Sequence, residues 1–377
     1  MSNLHRISDG GQSIWLDNLR RGLVSSGELQ RLITEDAVSG VTSNPTILAA
    51  AMSASNDYDE QLVRLADAGA SAEELYAELA AADIRGAADV LRPVWERTKG
   101  SDGFVSVEVS PRVAHDTEAT VGEAHAWIKR IDRDNLLVKV PANAPGLAAL
   151  ERLTAEGVSV NVTLIFSLQR YRAVAEAYLR GLERFIAAGG DPSRVVSFAS
   201  FFVSRVDVEV DRRLDHLAEG VAAPEAARLR SLAGKAGIAN ARAAYGIFEE
   251  AFSGPRWQGL AALGAHPQKP LWASTGVKDP SRRDTIYVEE LLAPNTVNTM
   301  PEATIRAFQD HGNPASRPFG KAEMAAAQSL LRDLAEAGVD YDDVTNLLER
   351  QGIERFAGSF DELMRRLESK RALALDS

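Results

Sequence analysis

The stretch Leu136-Leu137-Val138-Lys139-Val140-Pro141 is aliphatic on both sides of its alternation except at one position. A strand covered on both faces reads as a near-continuous apolar run, and such strands belong to parallel sheets wrapped by helices. Strand periodicity puts Lys139 on the face of Leu137, opposite Leu136, Val138 and Val140. Those three can pack against helices, so Lys139 points to the other side of the sheet. Lysine is almost never fully buried without a partner or a task. The plainer alternative is a lysine at a strand end, snorkelling or paired with a carboxylate.

Working outward, seven further β-rich runs are found, at residues 14–17, 38–43, 104–109, 158–163, 195–200, 271–274 and 296–300. Amphipathic helical patterns lie between nearly all of them, around residues 28–33, 57–68, 72–98, 117–130, 146–156, 168–188, 206–251 and 282–292. Strands alternating with helices imply parallel pairing through right-handed crossovers. Eight such strands predict a closed (β/α)8 TIM barrel, because closure leaves no strand as an edge. A plain barrel needs about 250 residues, and the chain has 377. The surplus is expected as helical insertions near residues 57–98 and 206–263 and as C-terminal helices over 322–373, with Gly352 as a break. The whole chain, 1–377, reads as one domain.

The parity of Lys139 returns in the other strands. In the run 105–109, Ser106 and Glu108 take the face opposite the valines. In the run 158–163, Asn161 and Thr163 share the non-valine face. Asp17 lies opposite Ile14 and Leu16, and Thr42 and Asn44 share a face after Val41. A single terminal Asp or Asn is usually a cap or turn residue. Here five strands place polar groups at their C-terminal ends, where barrel active sites are assembled from several strands at once.

Composition excludes several chemistries. There is no cysteine, hence no disulfide scaffold, thiol nucleophile, iron–sulfur cluster or Cys-based zinc site. The six histidines form no close metal-ligand pair, so no metal and no cofactor are expected. Forty-two basic against 53 acidic residues give a net charge of −11. That balance suits neither a general nucleic-acid binder nor an anionic membrane surface, but it allows a small basic pocket for a phosphorylated metabolite. The first residues are polar and no apolar run is long enough for a membrane span, so a cytoplasmic location is expected. Trp95, Trp127 and Trp257 read as packing residues, and His115 as a loop or capping residue. Monomer and homodimer both remain open.

What is left is a lysine, two carboxylates, a threonine and two amides. Desolvation penalises the ammonium form of a buried lysine. The neutral amine can attack a carbonyl and form a Schiff base. The iminium is an electron sink and permits cleavage of the adjacent carbon–carbon bond. One carboxylate can move protons during carbinolamine formation and loss, and a second can deprotonate the hydroxyl whose collapse breaks the bond.

At these residues the sequence resembles the transaldolase family, in its longer bacterial type. SIWLDNL, GVTSNPTIL, VSVEVSP, NLLVKVPAN, VNVTLIFSLQRY, SFFVSR and NTVNTMP carry the likeness, from Ile14 to about Pro301. The resemblance implies transfer of a dihydroxyacetone unit in the pentose phosphate pathway. Donors would be fructose 6-phosphate or sedoheptulose 7-phosphate, and acceptors erythrose 4-phosphate or glyceraldehyde 3-phosphate. It implies Lys139 as the Schiff-base lysine, Glu108 as a proton shuttle acting through a water, and Thr163 as a holder of that water. Asp17 would take the substrate hydroxyl proton. Asn44 and Asn161 would hold hydroxyls of the covalent three-carbon unit, with Ser200 facing the substrate and Phe202 lining the site. Arg205 and Ser274 would bind phosphate. One departure stands out: much of the family has an arginine two residues after that serine, where this chain has Gly276. Lys278 is the nearest cation and is expected to replace it. Two alternatives remain. One is a Schiff-base aldolase that releases free dihydroxyacetone or acts on deoxyribose phosphate, and the other is a non-catalytic sugar-phosphate-binding barrel.

Overall fold

A computed structural model describes residues 2–313 and 316–375. Eight parallel strands close into a barrel in sequence order. They are β1 (Gln12–Asp17), β2 (Val38–Thr42), β3 (Val105–Glu108), β4 (Leu136–Pro141), β5 (Val160–Ile165), β6 (Ser197–Phe202), β7 (Lys269–Ala273) and β8 (Thr296–Met300). The fold is the expected (β/α)8 barrel.

The alternation read in β4 is realised in two separate apolar clusters. Leu136, Val138 and Val140 join the shell between strands and helices, with Ile14 and Leu16. Leu137 joins Trp15, Phe104, Phe198, Leu271 and Val297 inside the barrel. The Trp15 and Phe198 rings sit 4.7 Å apart, and Phe104 meets Phe198 at 5.8 Å. Each such buried side chain contributes roughly 1.5–3 kcal/mol, so the apolar floor of the barrel is strongly stabilising. The indole N–H of Trp15 donates to Asp102 at 2.8 Å, which satisfies the one polar atom the ring brings inside. Gly40 is the register partner of Trp15, and a Cβ there would overlap the indole. Glycine is required at that position by close approach.

Extra helices surround this frame. Asp59–Asp67 and the long Ala72–Arg97 lie between β2 and β3. Ser204–Ala218, Ala223–Ser231, Ala236–Ala251 and Pro255–Ala262 lie between β6 and β7. Two expectations are corrected. The pattern at 282–292 yields only the short helix Ile286–Glu289. Gly352 does not break the tail, because Tyr341–Leu375 is one 35-residue helix that runs through it. There the missing side chain has a packing purpose: a Cβ on Gly352 would come 2.9 Å from Leu164 Cδ2. Leu164 itself adopts φ 61°, at an irregularity in the β5–β6 register. The C-terminal helix thereby rests on the mouth end of β5. No helix among the described residues is long and apolar enough to cross a membrane.

Candidate active site

Register brings the polar residues together. Glu108 is the direct partner of Lys139 across β3–β4, and Lys139 is the direct partner of Asn161 across β4–β5. All three point inward and are buried, Lys139 to 5% exposure and Glu108 to 7%, with Lys139 two residues beyond Leu137 of the apolar floor. The Lys139 ammonium lies 3.1 Å from Glu108 Oε2 and donates to the carbonyl of Ser43 at 3.0 Å. Both readings of Lys139 hold at once: it points into the barrel, and it is paired with a carboxylate. Burial pushes the Glu108 carboxyl above its ordinary range, and the Lys139 charge pulls the other way.

Asp17, at the end of β1, is the register partner of Thr42 and accepts its hydroxyl at 2.8 Å. Its carboxyl is also raised by burial, opposed by the Lys139 charge, the Thr42 hydrogen bond, and the charges of Arg205 and Lys278. Two carboxylates therefore flank one lysine, and both hold protons more tightly than an exposed carboxylate does. Thr163 is buried, and its Oγ1 has no hydrogen-bond partner among the described residues.

The two asparagines differ. Asn44 caps the helix Pro45–Ala54, its Oδ1 accepting from the Ile47 amide at 3.0 Å. The capping reading of a terminal Asn is thus realised, while the residue still lines the mouth. Asn161 is fully buried, its Oδ1 accepting from Ser200 at 2.7 Å and its Nδ2 donating to Ser106 at 3.2 Å. It lies beneath the cavity and holds Ser200, which lines it.

The same cavity is lined by Asp17, Lys139, Thr163, Phe202, Arg205 and Ser274. Arg205 stacks over the Phe202 ring at 5.1 Å. Ser274 follows β7 with φ 57°, a left-handed conformation that costs energy for a residue with a Cβ. Its hydroxyl meets that of Ser204 at 2.9 Å. The turn then folds back, so that Lys278 Nζ lies 3.8 Å from where a Cβ on Gly276 would sit. Lys278 is exposed and, like Arg205, makes no ion pair among the described residues. No group of three or more potential metal ligands occurs among the described residues.

Thr42, Thr299 and Phe356 also line the cavity. The Thr42 and Thr299 hydroxyls meet at 2.7 Å. Thr299 carries a visible sign, a polar residue in the run TVNTM at the end of the last strand. Phe356 belongs to the C-terminal helix and sits in a pattern that reads as an ordinary amphipathic face, so nothing local marks it.

Comparison with known proteins agrees with this geometry. The family model described as Transaldolase/Fructose-6-phosphate aldolase matches residues 14–367. A protein named Transaldolase from Saccharopolyspora erythraea is 54% identical over 96% of this chain and 96% of its own length. Another from Thermobifida fusca is 52% identical, covering 98% of this chain and 99% of its own. A third, from Acidothermus cellulolyticus, is 51% identical over 96% of this chain and 94% of its own.

Proposed function

The chain belongs to the transaldolase/fructose-6-phosphate aldolase family, and from that premise we propose how its residues carry transaldolase chemistry. The donor is a ketose phosphate, fructose 6-phosphate or sedoheptulose 7-phosphate, and the acceptor is an aldose phosphate. Lys139 attacks the C2 carbonyl of the donor. The ion pair with Glu108 carries the proposal: a buried carboxyl of raised pKa at 3.1 Å from the amine can take its proton and return it to the leaving hydroxyl of the carbinolamine. The buried Thr163 hydroxyl, unpaired within the protein, is suited to hold a water between them.

Once the iminium stands at C2, the bond that can break is C3–C4. Asp17 removes the C4 hydroxyl proton, the C3–C4 electron pair moves into the iminium, and the aldose leaves. The enamine on Lys139 then attacks the acceptor aldehyde, and Asp17 returns its proton. Asn44 offers its amide N–H groups to hydroxyls of the three-carbon unit. Asn161 reaches that unit where it is joined to Lys139, its register neighbour, and Ser200 and Phe202 line the site. Arg205, Ser274 and Lys278 take the phosphate. The position of the Lys278 Nζ, 3.8 Å from where a Cβ on Gly276 would sit, supports the last assignment.

We place the reaction in the pentose phosphate pathway and the protein in the cytoplasm, with the whole chain acting as one barrel domain. The competing activity is simple cleavage with release of free dihydroxyacetone. Assaying fructose 6-phosphate with and without erythrose 4-phosphate separates them. Transfer requires the acceptor, whereas glyceraldehyde 3-phosphate released at full rate without it would overturn the proposal.

A further inference from the structure

The C-terminal helix brings more than a wall to the mouth of the barrel. Gly352 rests on Leu164 at the end of β5, and Ser359 accepts a hydrogen bond from Thr46 at 2.8 Å, two residues after Asn44. Positions 352, 355 and 359 are spaced three and four apart, so they form one stripe of the helix. Arg355 lies on that stripe between two residues that touch the barrel mouth. The next residue, Phe356, lines the catalytic cavity, and its ring lies 6.0 Å from the Arg205 guanidinium.

Three other arginines of this helix are neutralised locally, while Arg350, which makes no ion pair among the described residues, lies off the stripe. Arg365 and Arg366 both pair with Glu362, and Arg371 pairs with Glu368. Arg355 has no acid three or four residues away, its neighbours there being Gln351, Gly352, Gly358 and Ser359. It makes no ion pair or hydrogen bond among the described residues. Instead its charge acts on Arg205. The Arg205 guanidinium is held below its ordinary range first by burial and then by Arg355, and Glu108 and Asp17 only partly offset this. Two unpaired guanidiniums at one opening repel each other, and a dianion between them removes that repulsion.

Resting on the reaction proposed above, we infer that Arg355 is a second guanidinium for the phosphate group of the sugar substrates, reaching it from the C-terminal helix on the Arg205 side of the cavity. A phosphate monoester offers three equivalent oxygens, and Arg is suited to bind two of them in its planar fork. Lys278 would approach from the β7 side, so the anion would be held from both. The tail would then set phosphate affinity, in a chain whose own β7 turn carries glycine at position 276.

The test measures KM for fructose 6-phosphate in transfer to erythrose 4-phosphate, and the inhibition constant of inorganic phosphate against it. The variants are Arg355→Ala, Arg355→Lys and, as a control for lost charge, Arg350→Ala, exposed on the same helix away from the stripe. Arg355→Ala is expected to raise both constants about tenfold, as for one lost charge-assisted hydrogen bond at a partly screened site. Arg355→Lys should recover most of that loss, and Arg350→Ala should match the wild type. A merely structural role would not move phosphate inhibition selectively. If phosphate inhibits wild type and Arg355→Ala equally, the inference is overturned and the proposed reaction stands. If wild type shows no transfer at all, the underlying reaction fails and the inference with it.

Discussion

Glu108 and Lys139 are direct partners in the β3–β4 register, and their charged ends lie 3.1 Å apart. The pairing is a consequence of strand geometry before it is one of electrostatics. A slip of one residue would turn Lys139 into the helix layer and Val138 into the barrel. The apolar clusters on either side of β4 forbid that slip, so core packing fixes the distance on which the chemistry depends. Removing either charge would leave the other buried and unpaired, which is costly.

The two carboxylates should separate kinetically. Glu108→Gln cannot exchange protons and is expected to slow Schiff-base formation. Asp17→Asn should let the Schiff base form and block carbon–carbon cleavage. Loss of one acid–base group costs about 10²–10⁴-fold in turnover. Rapid quench with borohydride at timed intervals distinguishes them: adduct accumulates slowly in the first variant and at the wild-type rate in the second. Equal trapping rates in both would show the roles to be wrongly divided.

Asp17 should also show a stability cost linked to pH. Its carboxyl is raised above the ordinary 3.8, mainly by burial. The fold therefore favours the protonated form. That contribution is fully present below pH 3.8 and is lost as pH rises through the raised folded-state value. Above it, the ionised carboxylate is a constant penalty. Asp17→Asn removes the penalty while leaving an oxygen for Thr42. Urea unfolding should find the variant more stable than wild type at neutral pH, with the gap closing as pH falls toward 4. A gap independent of pH would contradict the burial argument.

The phosphate end can be probed through Lys278 and Arg205. Lys278→Ala is expected to raise KM for phosphorylated donors by about tenfold, and Arg205→Ala by more, because its fork makes two contacts where an ammonium makes one. The effect on unphosphorylated donors should be much smaller, since the lost contact acts on the remote phosphate. Equal losses with both donor types would remove Lys278 from the site.

The barrel and the inward placing of its polar residues were legible because they rest on period-two alternation. Each strand is short, bounded, and apolar on the side that meets helices, so Lys139, Glu108, Asp17 and Thr163 declare themselves by parity. The contribution of the tail was not legible. Phe356 lines the mouth only because a helix that begins 176 residues after the end of β5 lies across it, and helical periodicity reports a buried face without naming what buries it. Gly352 reads as a helix break by propensity. Contact with Leu164 overrides that reading, since the helix can approach β5 closely only where it has no side chain. Likewise, neither the left-handed backbone at Ser274 nor the placing of Lys278 Nζ beside Gly276 is advertised by the residues of that turn.

Gly40 tests the packing of the barrel floor. Gly40→Ala would drive a methyl group into the Trp15 indole at the edge whose N–H donates to Asp102. Overpacking of this kind costs about 1–3 kcal/mol. Denaturant unfolding should show that loss, together with a change in tryptophan emission. A neutral substitution would mean that Trp15 can move, against the tight layer of Phe198 and Phe104 around it.

The central claim is that Lys139 forms the covalent bond to the substrate. Borohydride reduction in the presence of fructose 6-phosphate, followed by peptide mass mapping, tests it most directly. The predicted result is a reduced three-carbon adduct on the peptide containing Lys139, absent when the sugar is omitted and absent in Lys139→Ala. An adduct on Lys235, Lys269 or Lys278 instead, or no adduct in a protein that still turns over the sugar, would contradict it.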